Sequence, residues 1–530
     1  MDRGEKNMRF TQHWNKNKTA QNQAIPGSGQ VRNSAGGFAW EITPWQKLDR
    51  FLILGTERGS YYITEQKLTT AHAENLVELV KTDGEKVVQR IVEISKAGRA
   101  PKNDAAIFGL AMAAALGETP VRQAAFEAVP KVCRTGTHLF QFVAETEAIR
   151  GWGRGMRRAV QNWYNATPVE DLTYQAIKYQ QRNGWSHRDL LRLGHPKPAT
   201  EDHKTLFKWI VDGELTGANA KLEAFEKLKT TTKVDEVVKL ITDNRMPREC
   251  VPTQLLTEKK VWEALMQDMP LTAMIRNLGN MTKVGLLQAS SDATKKVVSE
   301  LANVERLKRA RVHPIILLLA HATYTQGRGF KGKGEWSPVA KVIDALDEAF
   351  YKAFDLVEAT NKRYLLGIDV SGSMTWSFVG GSPLSACDAA TAMAMVAMQT
   401  EEDVTPMAFC DKFVNIGLSK RMRLADALKH TKDRNFGGTD CALPMEYARK
   451  NKLKVDVFVV YTDNETWAGA IHPAQALAEY RQATGIPAKL VVMGMCSNGF
   501  SIANPQDAGM LDVVGFDTTV PQALREFAVA

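Results

Sequence analysis

The sequence predicts a multidomain α plus α/β chain, an N-terminal α-solenoid followed by a C-terminal doubly wound α/β domain, and three observations carry that reading. From residue 66 to about 355, apolar residues recur every three and four positions between short polar links, as in packed helices, and strand signals are scarce. From Arg363 the pattern changes to apolar strand, glycine-containing turn and helix. It repeats in "YLLGIDV", "VTPMAFC", "VDVFVVYTD" and "AKLVVMGM", which implies a mostly parallel sheet with helices on both faces. Charge divides at the same place: residues 1–360 carry 52 lysines and arginines against 41 acids, and 361–530 carry 16 against 18. The net +9 of the whole chain therefore belongs to the helical part.

Taken in order, residues 1–30 are polar and are expected to be flexible. Residues 31–360 form the helical unit, in which "AHAENLVELVKT", "EKVVQRIVEISKAG", "DAAIFGLAMAAALG", "PVRQAAFEAVPKVC" and "VAKVIDALDEAFYKAF" read as successive helices without a clean repeat. Within it, the stretch from Ile149 to Pro198 combines Arg150, Arg154, Arg157, Arg158, Lys178, Arg182, Arg188 and Arg192 with Trp152, Tyr164, Tyr179 and Trp185. A helix from Gly155 places Met156, Ala159, Val160 and Trp163 on one face and Arg154, Arg158 and Asn162 on another, so the aromatics read as core and the arginines as surface. "SHRD" fits a capping pattern, with Ser186 at an N-cap and His187 and Arg188 in an exposed first turn, where free N–H groups favour phosphate. Surplus positive charge confined to one region points to a polyanionic partner, most simply nucleic acid, with a solvated basic surface as the alternative.

Residues 361–530 form the α/β unit. "LLGIDVSGSM" runs from strand into turn and presents Asp369, Ser371 and Ser373 ahead of the Ala/Met-rich helix Ser385–Met398. Ligands of open α/β sheets sit at such strand ends, and one carboxylate with two hydroxyls suits a hard cation such as Mg2+. Thr439, after the Gly437–Gly438 pair, and Asp463, at the end of the most strand-like run, supply further oxygens. Each piece alone also reads as a cap, a helix start or a strand end. Their order along the chain favours the cation site.

Several function classes are excluded or disfavoured. The six cysteines are scattered, with no C-x-x-C, which argues against zinc sites and a disulfide framework and fits a reducing compartment. The apolar run "IILLLAHA" from Ile315, like the others in the chain, is too short to span a bilayer, so a cytoplasmic protein with no membrane partner is expected. A D-x-D phosphatase needs a second carboxylate where Ser371 stands, and "GRGFKGKGEW" mimics a phosphate-binding P-loop but has Gly334 in place of the hydroxyl residue. No G-x-S-x-G or H-E-x-x-H motif occurs. A cation with no nucleophile or base beside it is suited to gripping a partner's carboxylate or phosphate, so no enzyme is expected. A protein-adhesion scaffold with an incidental basic surface is the rival reading.

The stretches "RFLILGTERGSYYITEQKL", "AGRAPKN", "VCRTGTHLF", "KYQQRNGWSHRDLLRL", "MPLTAMIRNLGNMT" and "FVVYTDNETWAGAIHPAQALAEYR" resemble the Ro ribonucleoprotein autoantigen family over nearly the whole chain. The resemblance implies a ring of HEAT-like helical repeats, the TROVE module, closed by a von Willebrand factor A domain with a metal-ion-dependent adhesion site. That site's ligands map onto Asp369, Ser371, Ser373, Thr439 and Asp463. It also implies a monomeric RNA-quality-control protein that binds Y-like small RNA on the outer ring surface and single-stranded 3′ ends of misfolded RNA in the hole. His187 and its basic neighbours would lie on the Y RNA contact region, and Arg276 and Lys283 would face or approach the hole. An exoribonuclease is an implied partner.

Overall fold

The computed structural model describes residues 18–217, 219–330, 334–354, 357–379, 382–432 and 437–530. Strands β1 (Gln30–Arg32) and β2 (Phe38–Glu41) precede the helices, and a two-residue hairpin, β3 (Gln181–Arg182) and β4 (Trp185–Ser186), interrupts them. Asn183 and Gly184, both at positive φ, make the tight turn of that hairpin. The C-terminal unit contributes β5 (Arg363–Asp369), β6 (Asp403–Phe409), β7 (Phe413–Val414), β8 (Val457–Thr462), β9 (Lys489–Gly494), β10 (Phe500–Ser501) and β11 (Met510–Val514).

Helix boundaries follow local chemistry. The helix Pro44–Leu54 starts at Thr43, whose side chain forms a reciprocal capping box with Gln46, and the long helix Glu65–Ala97 ends at Gly98, held left-handed at φ 69°. The helix Asp104–Leu116, apolar on nearly every side, is buried nearly all round. Neighbouring helices pack along the chain from residue 44 to residue 352, the helical solenoid read from the sequence and the ring that the family resemblance implies. "IILLLAHA" lies in the helix Pro314–Thr325, and no described helix is long and apolar enough to cross a membrane.

The C-terminal sheet has the order β11-β9-β8-β5-β6-β7, parallel except for β7. The chain leaves β5 toward β6 and returns to β8 on the other side of β5. The crevice beyond the carboxyl ends of β5 and β8 is thus a topological switch point. Side chains alternate between faces: Leu366, Ile368, Val459 and Tyr461 join the core shared with the helical ring, while Leu365, Phe458 and Val460 join a second core under the helices Leu443–Lys450 and Pro473–Thr484.

Both ends of the helical array dock on this unit. From the first helices, the buried Arg50 donates to the carbonyls of Asn498 and Phe500 and makes a bidentate pair with Asp512 at 2.8 Å, while His72 Nε2 meets the Ser497 carbonyl at 2.6 Å. From the last helix, Asp347 accepts from the Leu424 amide and Asp344 pairs with Arg423. At the seam His313 Nε2 lies 3.1 Å from the Arg99 carbonyl, and Arg99 pairs with Asp517.

The flexible start expected for residues 1–30 is corrected in part. Residues 1–17 lie outside the described residues, but 18–30 lie against the C-terminal unit, with Gln21 fully buried and β1-β2-β10 forming a small sheet. Polar composition misled here because these side chains bond residues more than 400 positions away. The P-loop mimic is described only at its two ends, joined by an Arg328–Glu335 bridge; residues 331–333 lie outside.

Candidate metal centre and basic surface

Asp369 ends β5, and the chain turns at once into a short helix, Gly372–Trp376, so that Ser371 and Ser373 curl back over the strand end. The Ser371 amide donates to Asp369 Oδ1 at 3.0 Å, and the Ser371 and Ser373 hydroxyls lie 3.1 Å apart. Asp463 follows β8 directly. Thr439 is tied to the same place through its carbonyl, which accepts from the amides of Trp467 and Ala468 at 3.0 Å each. All five residues are almost entirely buried.

The electrostatics fit a cation. Burial, then the charge of Asp463, pushes Asp369 up to about 7, and burial also raises Asp463. Asp463 Oδ2 is buried without a hydrogen-bond partner, and no described salt bridge reaches either carboxylate. Two buried carboxylates with three hydroxyls and no cationic side chain form an oxygen set that a hard divalent ion such as Mg2+ would satisfy. Among the described residues no group of three or more His, Cys, Asp or Glu side chains is placed to hold a metal, so the candidate site depends on hydroxyls as well as carboxylates.

Sequence reasoning missed three neighbours. Thr462 donates to Asp369 Oδ2 at 2.7 Å and fixes that carboxylate from the adjacent strand. Glu465, two residues beyond Asp463, is buried and pushed up to about 8 by burial and by Asp463, and it accepts the Ala35 amide. Tyr62, from the loop between the first two helices of the ring, has its hydroxyl pushed up to about 12 by burial and the site carboxylates. Tyr61 beside it donates its amide to Ser377, and Trp376, at the end of the short helix, and Trp467, on the loop that follows Asp463, are exposed. Thr462 and Glu465 carried a sequence signal, their places in "TDNET".

The basic residues fall into separate groups. Arg150, Arg154 and Arg158 line a groove of about 340 Å3 between the helices Thr119–Val132, Gly136–Arg150 and Arg154–Ala166, together with Arg122, which the sequence reading overlooked. The apolar face predicted for the last of these helices is buried, and Trp152 stacks on Trp185 with centroids 5.8 Å apart. Arg182, Arg188 and Arg192 are exposed on the β3–β4 hairpin and the helix His187–Gly194. Lys178 is half-buried, donating to Tyr174 Oη at 3.1 Å and lying over the Tyr174 and Tyr179 rings. Arg276 borders a second cavity of about 490 Å3 with Lys102, Ile316 and Trp336; Lys283, two turns on, is exposed.

His187 is corrected. Ser186 does cap the helix through a reciprocal box with Asp189, but the His187 ring points inward and is 3% exposed. Its Nδ1 lies 2.7 Å from Tyr164 Oη, and its ring packs edge-on to Phe140 at 4.8 Å. Burial pushes its pKa down to about 4, so it stays neutral at physiological pH and offers no exposed donor to a phosphate. The spacing of His187, Leu190, Leu191 and Gly194, all buried, marks the inward stripe that the capping motif cannot reveal.

A helical ring latched to a von Willebrand A-type sheet, with a carboxylate–hydroxyl pocket at the sheet's switch point, defines a ring protein with an adhesion-type domain. Residues 31–246 and 239–323 match the TROVE domain model, and residues 363–528 match the Ro60 vWA domain model. The chain belongs to the Ro60 family. It is 42% identical to the RNA-binding protein RO60 of Deinococcus radiodurans over 506 residues, covering 94% of this chain and 95% of that protein. It is 39% identical to the RNA-binding protein RO60 of Caenorhabditis elegans over 581 residues, covering 94% and 90%. The crystal structure of the Deinococcus radiodurans RO (RSR) protein superposes with a TM-score of 0.71 at 41% identity, covering 92% of this chain and 99% of that one.

Proposed function

We propose that this chain is a noncatalytic RNA-binding protein acting within a ribonucleoprotein. The observation that carries the reading is the arginine-lined groove, where Arg122, Arg150, Arg154 and Arg158 converge on one concave surface of the unit that holds the positive surplus. The names of its relatives in Deinococcus radiodurans and Caenorhabditis elegans agree with it. In this reading structured, Y-like small RNA lies on the outer ring surface against that groove and Arg182, Arg188 and Arg192, bound through phosphates and shape. Single-stranded ends of misfolded RNA enter the hole past Arg276 and Lys283, and the protein serves RNA quality control in the cytoplasm as a monomer, in association with an exoribonuclease.

The cation centre takes Mg2+ on Asp369, Ser371, Ser373, Thr439 and Asp463 and grips an acidic group of a partner. The exposed Trp376 and Trp467 beside it favour a protein as the source of that group, because exposed tryptophans are typical anchors of interfaces. Sequencing the RNA that copurifies at physiological salt, with a salt titration of the affinity, tests the main reading. Small structured RNAs and a steep salt dependence are expected; a flat dependence would leave the adhesion-scaffold reading in its place.

A further inference from the structure

Residues 18–30 fall outside both matched domain models, yet they supply a fully buried polar side chain near the metal centre. Gln21 is 0% exposed and all four hydrogen-bonding valences of its amide are used. Nε2 donates to Asp440 Oδ1 at 2.7 Å and to the Ile471 carbonyl at 2.8 Å. Oε1 accepts from the Thr466 hydroxyl and from the Gly469 amide at 3.2 Å. Its backbone is held as well, by the Gly469 carbonyl and the Phe38 amide.

These partners lie on the two loops that bring Thr439 and Asp463 to the strand ends. Asp440 follows Thr439 directly, and Thr466 lies three residues beyond Asp463. The loops touch each other through the Thr439 carbonyl and the Thr466 hydroxyl's contact with the Cys441 amide at 3.2 Å. One buried amide therefore bridges both. There is no spare space around it, since a Cβ at Gly469 would collide with Asp440 Oδ1 and Gln21 Nε2. Farther along the same segment, Asn33 Nδ2 donates to the Thr466 carbonyl at 2.7 Å and Ala35 to Glu465.

We infer that Gln21 is a positioning residue of the metal centre, a clamp from the N-terminal segment that sets the spacing of Thr439 and Asp463 for the cation. Outer-shell partners of this kind orient ligands, and their loss costs about 10–100-fold in metal affinity. The inference rests on the Mg2+ reading proposed above. A fixed amide across the two loops raises affinity because the ligands no longer have to be gathered when the ion arrives.

The test is calorimetric titration of the full chain with Mg2+, repeated with Mn2+ and read by electron paramagnetic resonance, on wild type, Gln21→Ala and the volume-conserving Gln21→Met. Expected is a 10–100-fold weaker affinity in both variants, with circular dichroism and RNA affinity unchanged and the Mg2+-induced rise in melting temperature reduced. The double variant Gln21→Glu/Asp440→Asn, which exchanges donor and acceptor, should bind Mg2+ more tightly than Gln21→Glu alone. Wild-type affinity in Gln21→Met overturns the clamp and leaves the metal centre standing, as does a loss of stability that is equal with and without Mg2+. No titration by wild type overturns the metal centre and the clamp with it. Should Gln21→Ala fail to fold, Gln21→Met and the double variant decide.

Discussion

Removing the Arg50 side chain should open the junction between the helical ring and the C-terminal unit. Its guanidinium is 1% exposed and makes five bonds to that unit: two to Asp512, two to Asn498 and one to the Phe500 carbonyl. Breaking a buried pair by deleting one partner costs about 3–5 kcal/mol, because the remaining charge stays buried. Asp512 keeps the Ser501 hydroxyl at 2.6 Å, which offsets part of that cost, but two carbonyls lose a charged donor, each loss worth about 1–3 kcal/mol. These contributions overlap, so about 4 kcal/mol is expected for Arg50→Ala. At about 1.4 kcal/mol per tenfold, amide protection in β10 and β11 should fall roughly a thousandfold. Hydrogen exchange read by mass spectrometry measures this. Arg50→Lys, which keeps the charge but not the fork, should recover only part of the loss. Protection of Phe500–Ser501 and Met510–Val514 unchanged within a factor of about three in Arg50→Ala would refute the clamp energetics.

The other predictions follow from the two candidate surfaces and the buried histidine. Asp369→Ala should abolish Mg2+ titration while leaving RNA affinity within about twofold, because the positive surplus lies in the other unit; a parallel loss in a filter-binding assay would show the surfaces to be linked. Replacing Arg154, Arg158, Arg188 and Arg192 together should lower the log–log salt slope of RNA binding by about 0.7–0.9 per phosphate contact removed, with a native circular dichroism spectrum as the control. His187→Ser should cost about 2–4 kcal/mol of stability in denaturant titration, by leaving a cavity and a buried Tyr164 hydroxyl without its partner. In acid, the folded pKa of His187 lies below the unfolded value, so the unfolded chain binds more protons between about pH 6.5 and 4. Stability from this group is full above 6.5 and is lost as pH falls through that window, by up to about 3 kcal/mol. His187→Gln should flatten that part of the pH–stability curve, and an unchanged acid limb would contradict the assignment.

What was legible in the sequence was what is local. The four strand-like runs became β5, β6, β8 and β9, and the five metal ligands could be proposed because each ends or closely follows a strand or a glycine turn, features fixed within a few residues. The helical face carrying Arg154 and Arg158 was legible for the same reason, since 3.6-residue periodicity separates inside from outside. His187 was misread because the capping motif fixes where a helix begins but not which way its first side chain points. Gln21 and Arg50 had no readable role, because their partners lie about 450 residues away and only the closed fold brings them together. Lys178 illustrates a smaller failure: its charge is visible in the sequence, while its seat on two tyrosines is not.

The seam where His313 meets Arg99, and the docking of the first and last helices on one sheet, have a topological consequence. A closed annulus distinguishes polymers by whether they have an end. A linear strand can be threaded through it, and a covalently circular RNA of the same sequence cannot, however well its phosphates match the lining. On the proposed threading of RNA ends, exclusion of circles would measure how long the seam stays shut, and variants that weaken it, Arg50→Ala among them, should begin to admit RNA that has no terminus to offer.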